Sequence, residues 1–317
     1  MKNTLYKRGQ LIDLHIHTQY SDGMYTVPEL LKYAQKRGLD VISFTDHDML
    51  SANYEVRSLN KQNGFEGKVL TGCEISVSFK NKKYEVLAYD FDLDTLAKFD
   101  ALNVDYQFAI EEQRLEKLKD LGIKLGFKLS PNLKFDPKYR TAHKTFFHDI
   151  AKYPANKKVY NEHGIFRENN LYRDYMAKPG SLFHCYDIVT ETPSLDYVCK
   201  KIHQAGGKAI FAHPFYVYGE EDPKALVKDL ASLNVLDGFE SIHKKFTMEE
   251  CLWMQKFCLE NDLIPTAGTD FHGDGFRVNG YLFAPESLGF VKYANLETRF
   301  PIIRTHEVEK LWVLVHM

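Results

Sequence analysis

Five short apolar runs in this 317-residue chain close on histidine, aspartate or glutamate, and that recurrence restricts the fold more than any other feature. "LIDLHIH" ends on His15 and His17, "VISFTDHD" on Asp46 and His47, and "KVLTGCEIS" carries Glu74. "KAIFAHPF" carries His213, and "LIPTAGTDFHG" ends on Asp270 and His272. Each run has the length and apolar character of a strand. Alternate residues of a strand point to the same side, so His15 and His17 are expected to face one direction together.

Amphipathic segments separate these runs. "TVPELLKYAQKRG" reads as a helix with Thr26 and Glu29 at capping-box spacing and Gly38 as its stop. "SLDYVCKKIHQAGG", "DPKALVKDLASLN" and "TMEECLWMQKFCLEND" read likewise, the last with Thr247 and Glu250 at the same spacing. With "YEVLAYDF" and "LDGFESIH" there are roughly seven strand candidates. Strands alternating with helices imply an α/β fold with a parallel sheet. The closing "EKLWVLVHM" is a further candidate strand.

In such folds catalytic groups from different strands gather at the C-terminal rim of the sheet. Five of the thirteen histidines fall in these clusters, joined by three acidic residues. An H-x-H by itself is as consistent with a surface pair as with a ligand pair. His with Asp and Glu, recurring at strand ends without thiolate, is the ligand set of hydrolytic Zn, Mn or Fe rather than of structural zinc. The five cysteines are odd in number and form no CxxC pair. That argues for a reducing compartment and against a disulfide framework. Cys73 reads as a small core residue rather than a nucleophile.

The net charge of −2 gives no general attraction for nucleic acid, and long duplex DNA is not expected as a partner. No apolar run approaches the roughly 18 residues of a membrane span, and no membrane partner is expected. The N-terminal residues lack a signal-peptide apolar region, so the expected location is cytoplasmic. Residues 97–181 break the alternation: they are rich in Lys, Tyr and Phe and carry helical but little strand signal. The expected organisation is therefore one domain from 1–96 and 182–317, interrupted by a mainly helical subdomain at 97–181. From Lys134 to Lys158 seven Lys or Arg face two Asp, a local excess that either focuses an anionic substrate or is a solvated face.

"DLHIHTQYSDG", "FTDHD", "GCEIS", "FAHPF" and "GTDFHG", in this order, resemble the PHP (polymerase and histidinol phosphatase) family of metal-dependent phosphoesterases. The resemblance covers roughly residues 10–98 and 182–275. It implies a distorted seven-stranded (β/α) barrel holding two or three divalent metal ions, Mn, Fe or Zn, with Mg also admissible. It further implies that His15, His17, Glu74 and Asp270 surround one ion. Glu74 and His213 with one further ligand would hold a second, and Asp22, His47 and His272 a third. Where the family carries a histidine in the strand after the bridging glutamate, this chain has Glu85 in "EVLAYDFD". Glu85 is either a ligand, making the site harder, or an outward or supporting side chain. Asp13, Asp46 and Asp48 either orient imidazoles or serve as caps and ion-pair partners.

The insertion, the helix with Arg114 and "RTAH" at 140–143 resemble the stand-alone bacterial branch, which includes nucleoside 3′,5′-bisphosphate phosphatases and 5′-to-3′ exonucleases on short RNA. That resemblance implies phosphate binding by Arg114 and His143. Arg140 is a third candidate, although it stands three residues before His143 where the family has two. The implied reaction is hydrolysis of a terminal phosphate ester of a small nucleotide or short RNA by metal-activated water. His243 or His143 is a candidate to protonate the leaving group. A small-molecule phosphatase of histidinol-phosphate or sugar-phosphate type, and a metal-dependent C–N hydrolase, remain as alternatives.

Overall fold

The computed structural model describes residues 5–6, 10–59, 64–164, 171–178, 180–187, 191–217 and 222–273, with the backbone of short strands at Arg277–Val278, Tyr281–Leu282, Phe290–Lys292 and Arg299–Pro301. The candidate closing strand at 309–317 lies outside them. The chain forms two compact units: Met1–Phe79 with Lys83–Phe99 and Ser194–Met317, and Lys80–Lys82 with Asp100–Pro193.

The first unit is a mixed α/β fold. Strands β1 (Ile12–Ile16), β2 (Val41–Phe44) and β3 (Lys68–Leu70) form a parallel sheet, with Ile12 opposite Val41 and Val41 opposite Lys68. Helix α1 (Val27–Arg37) starts on the Thr26–Glu29 capping box and stops at Gly38, whose φ of 67° suits a residue without Cβ. Its Val27, Leu30, Leu31 and Ala34 recur at helical spacing and pack on Ile16, Ile42 and Phe44 of the sheet. Helix α2 (Ser51–Ser58) follows β2.

A second sheet has the order β4 (Gly72–Phe79), β5 (Lys82–Tyr89), β6 (Lys208–Phe211), β7 (Gly238–His243), β8 (Ile264–Gly268). "KVLTGCEIS" thus supplies strands to both sheets. The break is at Thr71, whose carbonyl accepts from the Asp90 N–H at 3.0 Å and whose hydroxyl donates to the Phe91 carbonyl at 2.9 Å. Gly72 permits the passage, because a Cβ there would meet Ser43 Oγ at 1.9 Å. β6, β7 and β8 are parallel, but β5 runs antiparallel to β6, with Val86 opposite Phe211. Uniform alternation predicts parallel strands, and the exception has a local cause. Only Lys80 and Asn81, both at positive φ, separate β4 from β5, and two residues reverse a chain but cannot carry a parallel crossover.

Short helix α3 (Leu93–Leu96) follows β5. Parallel bridges join Ile16 to Phe271 and His47 to Glu74, bringing the ends of β1 and β2 against residues of the second sheet's chain. Leu14, Val41, Leu87, Ile210, Ile242 and Ile264 share one buried cluster across both sheets.

The second unit holds α4 (Val104–Lys124), α5 (Ala142–Ile150) and α6 (Lys157–His163). The Asn103 side chain caps α4 by accepting from the Tyr106 N–H at 3.0 Å. Leu115, Leu118, Phe127, Phe146, Ile150 and Phe183 form its core. Gly122 lets α4 approach Phe146, whose Cζ would lie 2.6 Å from an added Cβ. In the first unit α7 (Leu195–Gln204), α8 (Pro223–Ser232) and α9 (Met248–Glu260) precede β6, β7 and β8. Among the described residues no helix is long and apolar enough to cross a membrane.

Candidate metal centre

β1 ends in two imidazoles on one side, with His15 Nε2 and His17 Nε2 3.1 Å apart. The other groups come to the same place from the parallel strands and from the antiparallel β5. Glu74 of β4 lies with Oε2 3.3 Å from His15 Nε2, 3.3 Å from His17 Nε2 and 3.1 Å from His47 Nδ1. Its Oε1 lies 3.0 Å from His213 Nε2. Asp270, just past β8, sets Oδ1 3.3 Å from His17 Nε2 and 3.3 Å from His272 Nδ1. Glu85 of β5 approaches His213 Nε2 at 3.3 Å. Asp22 closes the outer side, 3.2 Å from His272 Nε2 and 3.7 Å from His47 Nε2.

Four overlapping donor sets result: His17, Asp22, His47 and His272; His15, Glu74 and His213; His15, His17 and Asp270; His47, Glu74 and Glu85. Within each set the donor atoms lie within 4.8 Å of one another. Exposure is graded across them. His15, His17 and Glu74 are buried, whereas the side chains of His47 and Asp22 are 33% and 43% exposed, so the Asp22–His47 side faces solvent. His213 and Asp270 are held at φ of 28° and 50°, a backbone cost that ordinary packing rarely supports in non-glycine residues and that recurs at functional sites.

One atom decides how this cluster is to be understood. Glu74 Oε2 is buried and accepts no hydrogen bond, although three imidazole nitrogens stand within 3.3 Å of it. A buried carboxylate oxygen without a bond is costly, and ring nitrogens in the tautomer that turns lone pairs towards it would leave a position suited to a cation. The donor set of imidazole and carboxylate without thiolate fits Zn, Mn or Fe.

The residues behind the cluster fix its geometry. Glu240, fully buried in β7, accepts from His15 Nδ1 at 3.0 Å through Oε1 and from the His213 backbone N–H at 2.8 Å through Oε2. With the proton on Nδ1, His15 presents a bare Nε2 to the cluster, the usual carboxylate–histidine device behind a metal ligand. Sequence reasoning missed Glu240. The available signal was a glutamate amid the apolar residues of "LDGFESIH", one strand face away from any polar motif.

Gly268 makes room for the same pair, since a Cβ there would lie 2.2 Å from His15 Cβ. Asp13 accepts from the Thr269 N–H at 3.0 Å and hydroxyl at 2.6 Å, tying β1 to the loop that carries Asp270. Asp46 accepts from the Thr18 N–H at 2.8 Å and from the Ser21 hydroxyl, shaping the loop before Asp22. Asp48 accepts from the Ser76 N–H at 2.7 Å.

Electrostatics of the cluster is dominated by mutual pairing. Burial alone would protonate Glu74, but His15 and His47 hold its carboxyl well below the usual range. Burial pulls His213 down, yet bonding to Glu74 and Glu85 carries it up to about 10. Asp270 is likewise held low against burial, by Lys244 and His272. Burial pushes the Cys73 thiol well up, which leaves it inert, and all five cysteines are buried and unpaired with each other.

His243, at the end of β7, sets Nε2 3.4 Å from Asp270 Oδ2 and accepts the Lys245 N–H at Nδ1 over 3.3 Å. Burial takes its pKa down to about 4. The other three candidates belong to the second unit. Arg114 bonds Glu191 at 2.8 Å, pairs with Glu111, and lies 4.6 Å over the Tyr186 ring. His143 is buried near the start of α5, with its pKa pushed down to about 3 by burial and by Lys144 and Arg114. Arg140 follows the short turn Pro137–Tyr139 at φ 60°.

The PHP domain profile matches residues 13–236, more than half of the chain. This chain belongs to the PHP family. It is 27% identical over 270 residues to a 5′-3′ exoribonuclease of Haemophilus influenzae, covering 82% of this chain and 89% of the relative. It is 27% identical over 278 residues to a 3′,5′-nucleoside bisphosphate phosphatase of Chromobacterium violaceum, covering 85% and 90%. A phosphoribosyl 1,2-cyclic phosphate 1,2-diphosphodiesterase of Eggerthella lenta is 25% identical, covering 84% and 95%. Among solved structures, a Bifidobacterium adolescentis protein assigned as a metal-dependent phosphoesterase shares the fold with a TM-score of 0.60 at 20% identity, covering 87% of this chain and 93% of that one. These PHP relatives are hydrolases of phosphate esters.

Proposed function

We propose that this chain is a metal-dependent phosphoesterase that removes a terminal phosphate, or a terminal nucleotide, from a small nucleotide of nucleoside bisphosphate type or from short RNA. The observation that carries the reading is Glu74 Oε2, a buried carboxylate oxygen without a hydrogen bond amid three imidazole nitrogens. His15, His17, Glu74 and Asp270 would hold one ion, Glu74, Glu85 and His213 a second, and Asp22, His47 and His272 a third. When bound, two or three such ions (Mn, Fe or Zn, with Mg admissible) supply charge for the phosphoryl oxygens and lower the pKa of the attacking water.

The chain's own residues do the rest. Glu240 keeps His15 in the tautomer with a free Nε2. Asp13 and Asp46 hold the loops that bring Asp270 and Asp22 to the rim. His243 stands beside Asp270 at the mouth of β7, a position suited to the leaving oxygen. Arg114, His143 and Arg140 are our candidates for binding the substrate's further phosphate.

The same reading takes the fold as a distorted seven-stranded barrel. β3 and β4 count as one strand, and the Ile16–Phe271 and His47–Glu74 bridges support closure. Residues 97–181 are then a mainly helical insertion between 1–96 and 182–317. The site is assigned to the cytoplasm and to small phosphorylated substrates, not to duplex DNA or membrane. The H. influenzae and C. violaceum relatives, named for RNA and nucleoside bisphosphate, support this substrate class.

Turnover across nucleoside 3′,5′-bisphosphates, short RNA, cyclic phosphates, amino-alcohol and sugar phosphates, after loading with Mn, Fe or Zn, tests the reading. Preferred turnover of a bisphosphate or RNA end is expected. Brisk turnover of an amino-alcohol or sugar phosphate alone would overturn the substrate class.

A further inference from the structure

Asp270 divides its two oxygens between different neighbours. Oδ1 faces the imidazoles of His17 and His272, whereas Oδ2 faces Lys244 Nζ at 3.3 Å and Lys245 Nζ at 3.8 Å. Lys244 also donates to the Asp270 carbonyl. Both lysine side chains are nine-tenths or more buried, at 3% and 9% exposure. Two ammonium groups are therefore desolvated beside one carboxylate that already serves the metal cluster. Burying a cation is costly unless an anion compensates it, and here Asp270 is shared between the two lysines and the metal cluster.

The two lysines are not equivalent. Lys244 is fixed at both its acceptors on Asp270. Lys245 reaches past Asp270 to lie over the ring of Tyr216, 3.2 Å from its centroid, and Tyr216 is half exposed. A cation–π contact is weaker than a charge-assisted bond to an anionic oxygen, so Lys245 can exchange the ring for such a partner. Its backbone N–H meanwhile bonds His243, keeping the loop after β7 against the rim.

We propose that Lys244 and Lys245 form a phosphate subsite on the β7 side of the metal centre, with Lys245 contacting phosphoryl oxygens of the substrate and Lys244 acting as the positioning residue that holds Asp270. The inference rests on the phosphoesterase reading but not on the second unit, whose Arg114 is already paired with two carboxylates. It assigns phosphate recognition to the same unit that carries the metal ligands. A charge-assisted bond from an ammonium to phosphate is among the stronger hydrogen bonds a site can offer.

The test is calorimetric binding of inorganic phosphate to the metal-loaded protein, with metal content and turnover of an aryl phosphate measured on the same samples. Lys245→Met should keep its metals and bind phosphate about tenfold to hundredfold more weakly. KM for the aryl phosphate should rise by a similar factor, and Lys245→Arg should recover most of the loss. Lys245→Met that binds phosphate as the parent does, with full metal, would overturn the subsite. If Lys245→Met misfolds, Lys245→Gln carries the same comparison. A parent protein that holds metal yet neither binds phosphate nor cleaves any phosphoester would instead overturn the proposed function.

Discussion

Glu240→Gln is a change of one atom pair in a fully buried side chain, and its consequence can be worked through bond by bond. Both groups facing the carboxylate are donors: His15 Nδ1–H at 3.0 Å and the His213 N–H at 2.8 Å. Glutamine offers one acceptor and one donor, so it satisfies only one of them. If its oxygen stays with His213, its NH2 faces His15 and forces the ring to accept at Nδ1. The ring proton then moves to Nε2, where it points at Glu74 Oε2 and His17 Nε2, and His15 ceases to be a ligand. If the amide flips, a buried backbone N–H faces an NH2, at a cost of about 1–3 kcal/mol.

The expected loss on the first route is about 10–100-fold in metal affinity, or about 1.4–2.7 kcal/mol. Competition of parent and variant against a chelator of known affinity, with thermal unfolding followed in parallel, measures it. Unchanged affinity and stoichiometry in a folded Glu240→Gln protein would refute the proposed role of His15 Nε2.

Glu85→Ala should lower the number of bound metals per chain, while Glu85→His should retain it with altered metal preference; full metal and full rate in both would make Glu85 a bystander. Arg114→Ala should raise KM for a nucleoside bisphosphate strongly and for an aryl phosphate less. Equal rises would assign Arg114 to structure, through its pairing with Glu111 and Glu191. Burial depresses His143 to about 3 from an unfolded value near 6.5, so its contribution to stability is present above pH 6.5 and is lost as pH falls towards 3. Unfolding midpoints measured across that window should fall less steeply for His143→Asn, and parallel curves would remove the linkage.

What the sequence could show was set by position along each strand. Residues that end strands stand out, because a histidine or aspartate after an apolar run breaks the pattern. His15, His17, His213 and Asp270 could be found this way, whereas Glu74, expected at the end of an apolar run, is the third residue of β4; the donor atoms of these residues do converge. Glu240 could not be found, because it sits inside β7 between Phe239 and Ser241, with its partners on β1 and after β6. Lys244 and Lys245 were passed over for a related reason: two adjacent lysines after a strand look like solvated surface until the structure turns them onto Asp270. The antiparallel β5 was hidden in a two-residue link, too short to register as a missing helix.

Metal analysis of the purified protein and of Glu74→Gln shows whether Glu74 is shared between bound ions. At least two transition-metal equivalents per chain are expected in the parent. A Glu74→Gln variant that stays folded should lose bound metal and most activity. A parent protein that carries no metal, and acquires none on incubation with Mn, Fe or Zn, would contradict the metal-centre reading.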